Sequence, residues 1–259
     1  MIKSAPRRLL ICAVSAAAIA AAFWLDRIPQ DPAYHAFADH SRLLGIPNFW
    51  NVATNLPFLL VGLVGLTWRA RLRDQALQTQ YVVFCIGVLL VGFGSAYYHW
   101  APSTPALVWD RLPMTVAFAA LFSAVVQDRV SERLGQALLW PLVIAGIASV
   151  AWWYWSELAG RGDLRPYAVV QFLPILLIPL ILLLFSGRGL RAGWLWATLA
   201  AYVTAKFAEY FDGTIFSATG FLSGHSLKHL LAALAVWWVI RAFLGPATAN
   251  LRPGTNKTN

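Results

Sequence analysis

Residues 167–185 read YAVVQFLPILLIPLILLLF, a run without a single charged side chain. A helix rises about 1.5 Å per residue, so about 20 apolar residues cross a hydrocarbon core about 30 Å thick. This run has that length. Pro174 and Pro179 would weaken a helix in water, but prolines are common in membrane helices. The same signal recurs on both sides, at about 9–25, 50–68, 80–99, 107–126, 136–156, 193–211 and 225–244. The connections are short, which suits antiparallel neighbours. The sequence therefore predicts an all-α, polytopic transmembrane helix bundle with seven core helices plus one extra N-terminal helix.

Composition agrees. The chain is 59% hydrophobic and 12% charged, with mean hydropathy +0.61; soluble domains carry about 25% charged residues. Cys12 and Cys85 lie inside apolar runs and read as small hydrophobes rather than a disulfide framework. The net charge of +9 sits mostly in short loops. With no phosphate-cradling glycine loop and no basic–aromatic stripe, nucleic acid is not an expected partner, and no protein partner is inferred. The predicted layout is an N-terminal transmembrane anchor and outer loop over 1–47, a seven-helix domain over 48–245 and a flexible cytoplasmic tail over 246–259. The first run has the basic start of a signal peptide, but it ends Phe23-Trp24-Leu25-Asp26, a poor cleavage site. It reads as an uncleaved helix.

Charge also sets orientation. Lys3, Arg7, Arg8, Arg69, Arg71, Arg73, Arg129, Arg133, Arg188, Arg191, Arg241, Arg252 and Lys257 fall on one side, against Arg27, Arg42, Arg161 and Arg165 on the other. The positive-inside rule puts both termini in the cytoplasm. Compact loops fit a bacterial inner membrane.

Ionisable groups in membrane segments are costly and tend to mark function. Here the third span ends Gly94-Ser95-Ala96-Tyr97-Tyr98-His99, the fourth starts near Asp110-Arg111-Leu112-Pro113-Met114, and the eighth starts Gly224-His225-Ser226-Leu227-Lys228-His229. The predicted topology brings all three to the outer, periplasmic level. His225 and His229 are four apart and so share a helix face, as do Ser95 and His99. Three imidazoles from two helices match catalytic zinc, which keeps a fourth position open. The ordinary role of a lone membrane histidine is a packing hydrogen bond, and a His-x-x-x-His pair can arise by helical spacing alone. It is the shared depth of His99, His225, His229, Ser95 and Asp110 that favours a metal. His35 and His40 read as solvated loop residues, Lys206 and Glu209 as a structural ion pair, and Asp212 as a group that could orient a ligating histidine. The role of Lys228 is open.

These blocks, with Asn48-Phe49-Trp50-Asn51-Val52-Ala53-Thr54-Asn55-Leu56, resemble the alkaline ceramidases, members of a superfamily of seven-helix membrane hydrolases that includes the adiponectin receptors. The likeness spans roughly residues 48–244. It implies zinc held by His99, His225 and His229, with Ser95 and Asp110 lining the water at the metal, and a lipid substrate that enters sideways from the bilayer. Alkaline ceramidases also carry an acidic calcium-binding cluster before and at the first core helix. In this chain Asn48 replaces the acidic residue before Phe-Trp-Asn, and Asp39 is the only nearby carboxylate, so calcium is not expected. The activity implied is hydrolysis of the amide of ceramide or a related N-acyl lipid, releasing a fatty acid and a long-chain base. A lipid esterase would use the same site, a receptor or sensor would keep the metal as a structural one, and a transporter would line a path with Lys206, Glu209 and Asp212.

Overall fold

The computed structural model describes residues 4–244, which places the expected tail over 246–259 outside the described residues. The described residues are helical almost throughout. The helices are α1 (Ser4–Trp24), α2 (Phe49–Ala53), α3 (Leu56–Thr67), α4 (Gln78–Trp100), α5 (Thr104–Arg129), α6 (Glu132–Leu158), α7 (Arg165–Leu184), α8 (Ala192–Tyr210), α9 (Asp212–Thr219) and α10 (Gly224–Phe243). Among the described residues, seven spans are long and apolar enough to cross a membrane, with Phe49–Thr67 counted as one. Helix α8 is long but less apolar, because it carries Lys206 and Glu209. The protein is thus an all-α, integral membrane bundle.

Local chemistry sets the ends. Ser103, Ser131 and Ser223 cap α5, α6 and α10, each accepting a backbone N–H three residues on. The expected span 50–68 is broken into α2 and α3 at Thr54-Asn55. Pro57, in the first turn of α3, has no backbone N–H to donate to the Ala53 carbonyl, so the hydrogen-bond ladder is interrupted there. The side chains of Thr54 and Asn55 turn back onto the carbonyls of Trp50 and Asn51.

Helices α3, α4, α5 and α6 pack in sequence, α10 lies along α8, and α7 leans on α5, α6 and α1 while barely touching α8. Helix α1 is tied to α7 at both ends. The Arg7 guanidinium donates to the Leu184 carbonyl at 2.8 Å, and Arg165 donates to the Leu25 carbonyl at 2.7 Å. One buried cluster, around Tyr81, Phe84, Val125 and Phe243, fills the end where α5 and α10 finish. A second, around Phe37, Tyr98, Leu107, Trp153 and Tyr167, fills the opposite end. The polar residues singled out in the sequence collect at that second end. Over it lies a strap, residues 25–48, containing a single helical turn (Pro32–His35) and a two-residue hairpin of β1 (Arg42–Leu43) and β2 (Ile46–Pro47).

Candidate metal centre

Two glycines let the site assemble. A Cβ at Gly94 would collide with the Trp109 carbonyl, so its absence lets α4 approach the start of α5. A Cβ at Gly224 would collide with the Ala208 carbonyl, so α10 can begin directly against the end of α8. These close approaches bring the last turn of α4 and the first turns of α5 and α10 to one end of the bundle.

His99, His225 and His229 meet there. Their ring centroids are pairwise 4.8 Å apart, and they are 1%, 3% and 4% exposed. One ring nitrogen from each lies within 4.8 Å of the other two, a group that could hold a metal ion. The Nε2 atoms of His99 and His225 are 3.3 Å apart. Two nitrogens bound tetrahedrally to zinc at about 2.0–2.1 Å would lie about 3.3–3.4 Å from each other. This spacing fits the metal that the sequence resemblance implies.

The surroundings make His229 a suitable ligand. Its Nδ1 lies 3.0 Å from the Thr54 hydroxyl oxygen, and that hydroxyl donates its one proton to the Trp50 carbonyl at 2.6 Å. Thr54 must therefore accept from His229, which places the imidazole proton on Nδ1 and leaves Nε2 bare. Neutral imidazole with a bare nitrogen is the ligating form. Asn51 extends the support: its side-chain oxygen accepts from the hydroxyl of Ser226, in the first turn of α10, at 2.7 Å and from that of the capping Ser223 at 3.3 Å. Ser95 is buried one turn before His99, and its hydroxyl faces the Asp110 carboxylate.

The strap covers this centre. The Phe37 ring lies 4.7 Å from the His99 ring and 4.3 Å from the His225 ring, and is itself buried. Asn48, in the left-handed region at φ 48°, donates to the His99 carbonyl at 2.9 Å; asparagine tolerates that conformation better than most side chains. Asp39 is fully committed, one oxygen accepting from Ser41 and the other from the Asn51 backbone N–H. His40 is exposed, as expected, but His35 is not simply solvated. Its ring bonds the Tyr98 hydroxyl at 2.8 Å and the Thr104 hydroxyl at 3.1 Å. Burial, and then the Arg111 guanidinium, hold the His35 pKa below its ordinary value.

Asp212 orients the helix rather than a ring: one oxygen accepts from the His225 backbone N–H at 2.7 Å and the other from the Ala38 N–H at 2.8 Å. Lys206 and Glu209 do pair, at 2.7 Å, but Lys228 joins them at 2.7 Å, and Glu209 also lies 3.9 Å from the His225 Nδ1. Sequence reasoning missed Phe37, Thr54 and the place of Glu209 beside the histidines. For Thr54 and Glu209 the available signal was a polar side chain within an apolar span.

The protein-family profile described as Ceramidase matches residues 39–177. The chain belongs to the ceramidase family. Membership makes it a ceramidase-like membrane hydrolase. The matched stretch takes in Ser95, His99 and Asp110; His225 and His229, which complete the cluster, lie beyond it. The comparison with curated proteins gives no match.

Proposed function

We propose that the protein is a zinc-dependent amidohydrolase of the membrane, which cleaves the amide bond of ceramide or a related N-acyl lipid to a fatty acid and a long-chain base. The observation that carries this reading is the convergence of three buried imidazoles, with the Nε2 atoms of His99 and His225 at tetrahedral-ligand spacing. His99, His225 and His229 would hold the ion, leaving one position open. When bound, zinc supplies Lewis acidity and brings the pKa of a water down to about 7.

Asp110 is the group that moves the proton. It takes one from the attacking water and returns it to the amide nitrogen as the C–N bond breaks, so that water and amide become a carboxylic acid and an amine. Ser95 works with it. While Asp110 is a carboxylate, the Ser95 hydroxyl that faces it can donate to it. Once Asp110 is protonated, that carboxyl can donate to Ser95, and the Ser95 hydrogen becomes available to the oxyanion. Phe37 and the strap shield the centre on its solvent side, which favours a lipid arriving through the bilayer over one arriving from water. On the charge pattern of the loops, the strap and the centre face the periplasm and both termini face the cytoplasm.

The test is metal content and hydrolysis together. Detergent-purified protein should contain about one zinc per chain and release fatty acid from N-acyl sphingolipids. A His99→Ala, His225→Ala, His229→Ala variant should lose both. Folded wild type without metal would overturn the reading. Turnover of lipid esters but of no amide would reassign it as an esterase.

A further inference from the structure

The metal reading uses Nε2 of His225, since that atom faces His99 at 3.3 Å. The other ring nitrogen, Nδ1, then points away from the centre. A metal-ligating histidine almost always donates its second N–H to a carboxylate, a carbonyl or water. For His229 that acceptor is Thr54. For His225 the acidic group facing Nδ1 is Glu209, whose Oε1 lies 3.9 Å away.

Glu209 is not loosely placed. Its Oε1 accepts from the Lys228 ammonium at 2.7 Å and its Oε2 from the Lys206 ammonium at 2.7 Å. The carboxylate is about 20% exposed, and Lys228 about 19%. An isolated carboxylate at such a depth would be costly, and two ammonium groups offset that cost. The pair of lysines therefore fixes the Glu209 carboxylate beside the ring. The other carboxylates at this end are engaged elsewhere. Asp212 accepts from the backbones of His225 and Ala38, Asp39 from Ser41 and Asn51, and Asp110 faces Ser95. None of them has been placed against a histidine ring nitrogen.

We infer that Glu209, clamped between Lys206 and Lys228, is a positioning residue for the metal centre: it receives the Nδ1 proton of His225 and so holds that ring with Nε2 bare and directed at the ion. This rests on the proposed zinc site. A side-chain shift of about 1 Å brings Oε1 from 3.9 Å into hydrogen-bond range of Nδ1. The clamp draws on α8 and α10, so the ligand helix is fixed through a side chain as well as through its backbone.

The experiment is chelator competition for zinc on full-length protein in detergent, comparing wild type, Glu209→Gln and Glu209→Ala. Loss of such a partner typically weakens metal affinity 10–100-fold. We expect a loss of that size for Glu209→Ala and a smaller one for Glu209→Gln, whose amide oxygen can still accept. Affinities within threefold of wild type for both variants would overturn the assignment of Glu209 while leaving the metal site standing. Wild type that takes up no zinc would instead remove the metal reading and this inference with it. Because a variant may fail to fold, a second measurement uses wild type alone. Nitrogen-15 spectra of the zinc-loaded, histidine-labelled protein should show His225 protonated on Nδ1 and metal-bound through Nε2; metal on Nδ1 would overturn the inference.

Discussion

Replacing Thr54 with valine isolates one hydrogen bond at the centre. Valine keeps the β-branched shape at a position only 6% exposed, so packing is preserved. Two bonds are lost. The one to the Trp50 carbonyl is replaceable, because that oxygen also accepts the Thr54 backbone N–H at 3.0 Å. The other is harder to replace: the Nδ1–H of His229, in a ring 4% exposed, loses its hydroxyl acceptor at 3.0 Å and is left with the Asn51 carbonyl, which already accepts from the Asn55 side chain at 2.7 Å. An unsatisfied buried donor costs about 1–3 kcal/mol. At about 1.4 kcal/mol per decade, that is roughly 5–150-fold in an equilibrium constant. The imidazole can avoid the cost by moving its proton to Nε2, but that occupies the nitrogen that faces the ion. Either route weakens the metal site. We expect Thr54→Val to raise the zinc dissociation constant by about 10–100-fold, with the thermal stability of the zinc-free protein in detergent nearly unchanged, and Thr54→Ser to restore affinity. Chelator competition measures the first and a thermal melt the second. Zinc affinity equal to wild type in a folded Thr54→Val protein would refute the tautomer argument.

Other expectations follow from the same geometry. Ser95→Ala should lower kcat on an N-acyl sphingolipid by about 10²–10³ with zinc content unchanged; a parallel loss of zinc would mean that Ser95 supports the fold of the site and not the reaction. His35 carries the pH dependence of the strap. Its folded pKa lies below the ordinary value near 6.5, so the unfolded chain binds the extra proton first. The strap's stability is therefore full above about pH 6.5 and falls as pH drops through that value toward the depressed one. Hydrogen exchange over residues 31–40 should quicken at pH 5 relative to pH 7.5, and His35→Gln should remove the difference. Equal pH dependence in that variant would exclude His35 as the cause.

The fold was legible because the bilayer asks one thing of a sequence, long uncharged runs, and residues 167–185 state it without ambiguity. What blurred the reading lay where polar chemistry interrupts apolar sequence. The single span expected over 50–68 is two helices because Pro57 and the back-bonding of Thr54 and Asn55 outweigh an apolar pattern. Helix α8 is less apolar than its neighbours because Lys206 and Glu209 serve a cluster with Lys228. The meeting of the three histidines was readable as well, from i,i+4 spacing on α10 and matched depth on α4. Phe37 was not readable. Nothing in an isolated loop phenylalanine says that its ring will lie on two imidazoles, because its place depends on how the strap is tied down.

Those ties explain why a loop can help define a centre built by helices. Asp212 binds the strap at Ala38 with one oxygen and the ligand helix at His225 with the other. Asp39 joins the strap to α2 through Asn51, whose side chain in turn holds Ser223 and Ser226 at the start of α10. Asn48 joins it to the end of α4 at His99. Each tie runs from the strap to a helix that carries a ligand or supports one, and each uses a backbone group that needs a partner when buried. Displacing the strap would therefore leave several buried groups unsatisfied at once, at about 1–3 kcal/mol each. That coupling makes the cover over the histidines part of the site's rigidity and not a detachable lid. It also accounts for Asp39: with both oxygens already accepting from Ser41 and Asn51, this carboxylate serves as a structural anchor, and the acidic side chain nearest the first core helix is committed to the protein itself.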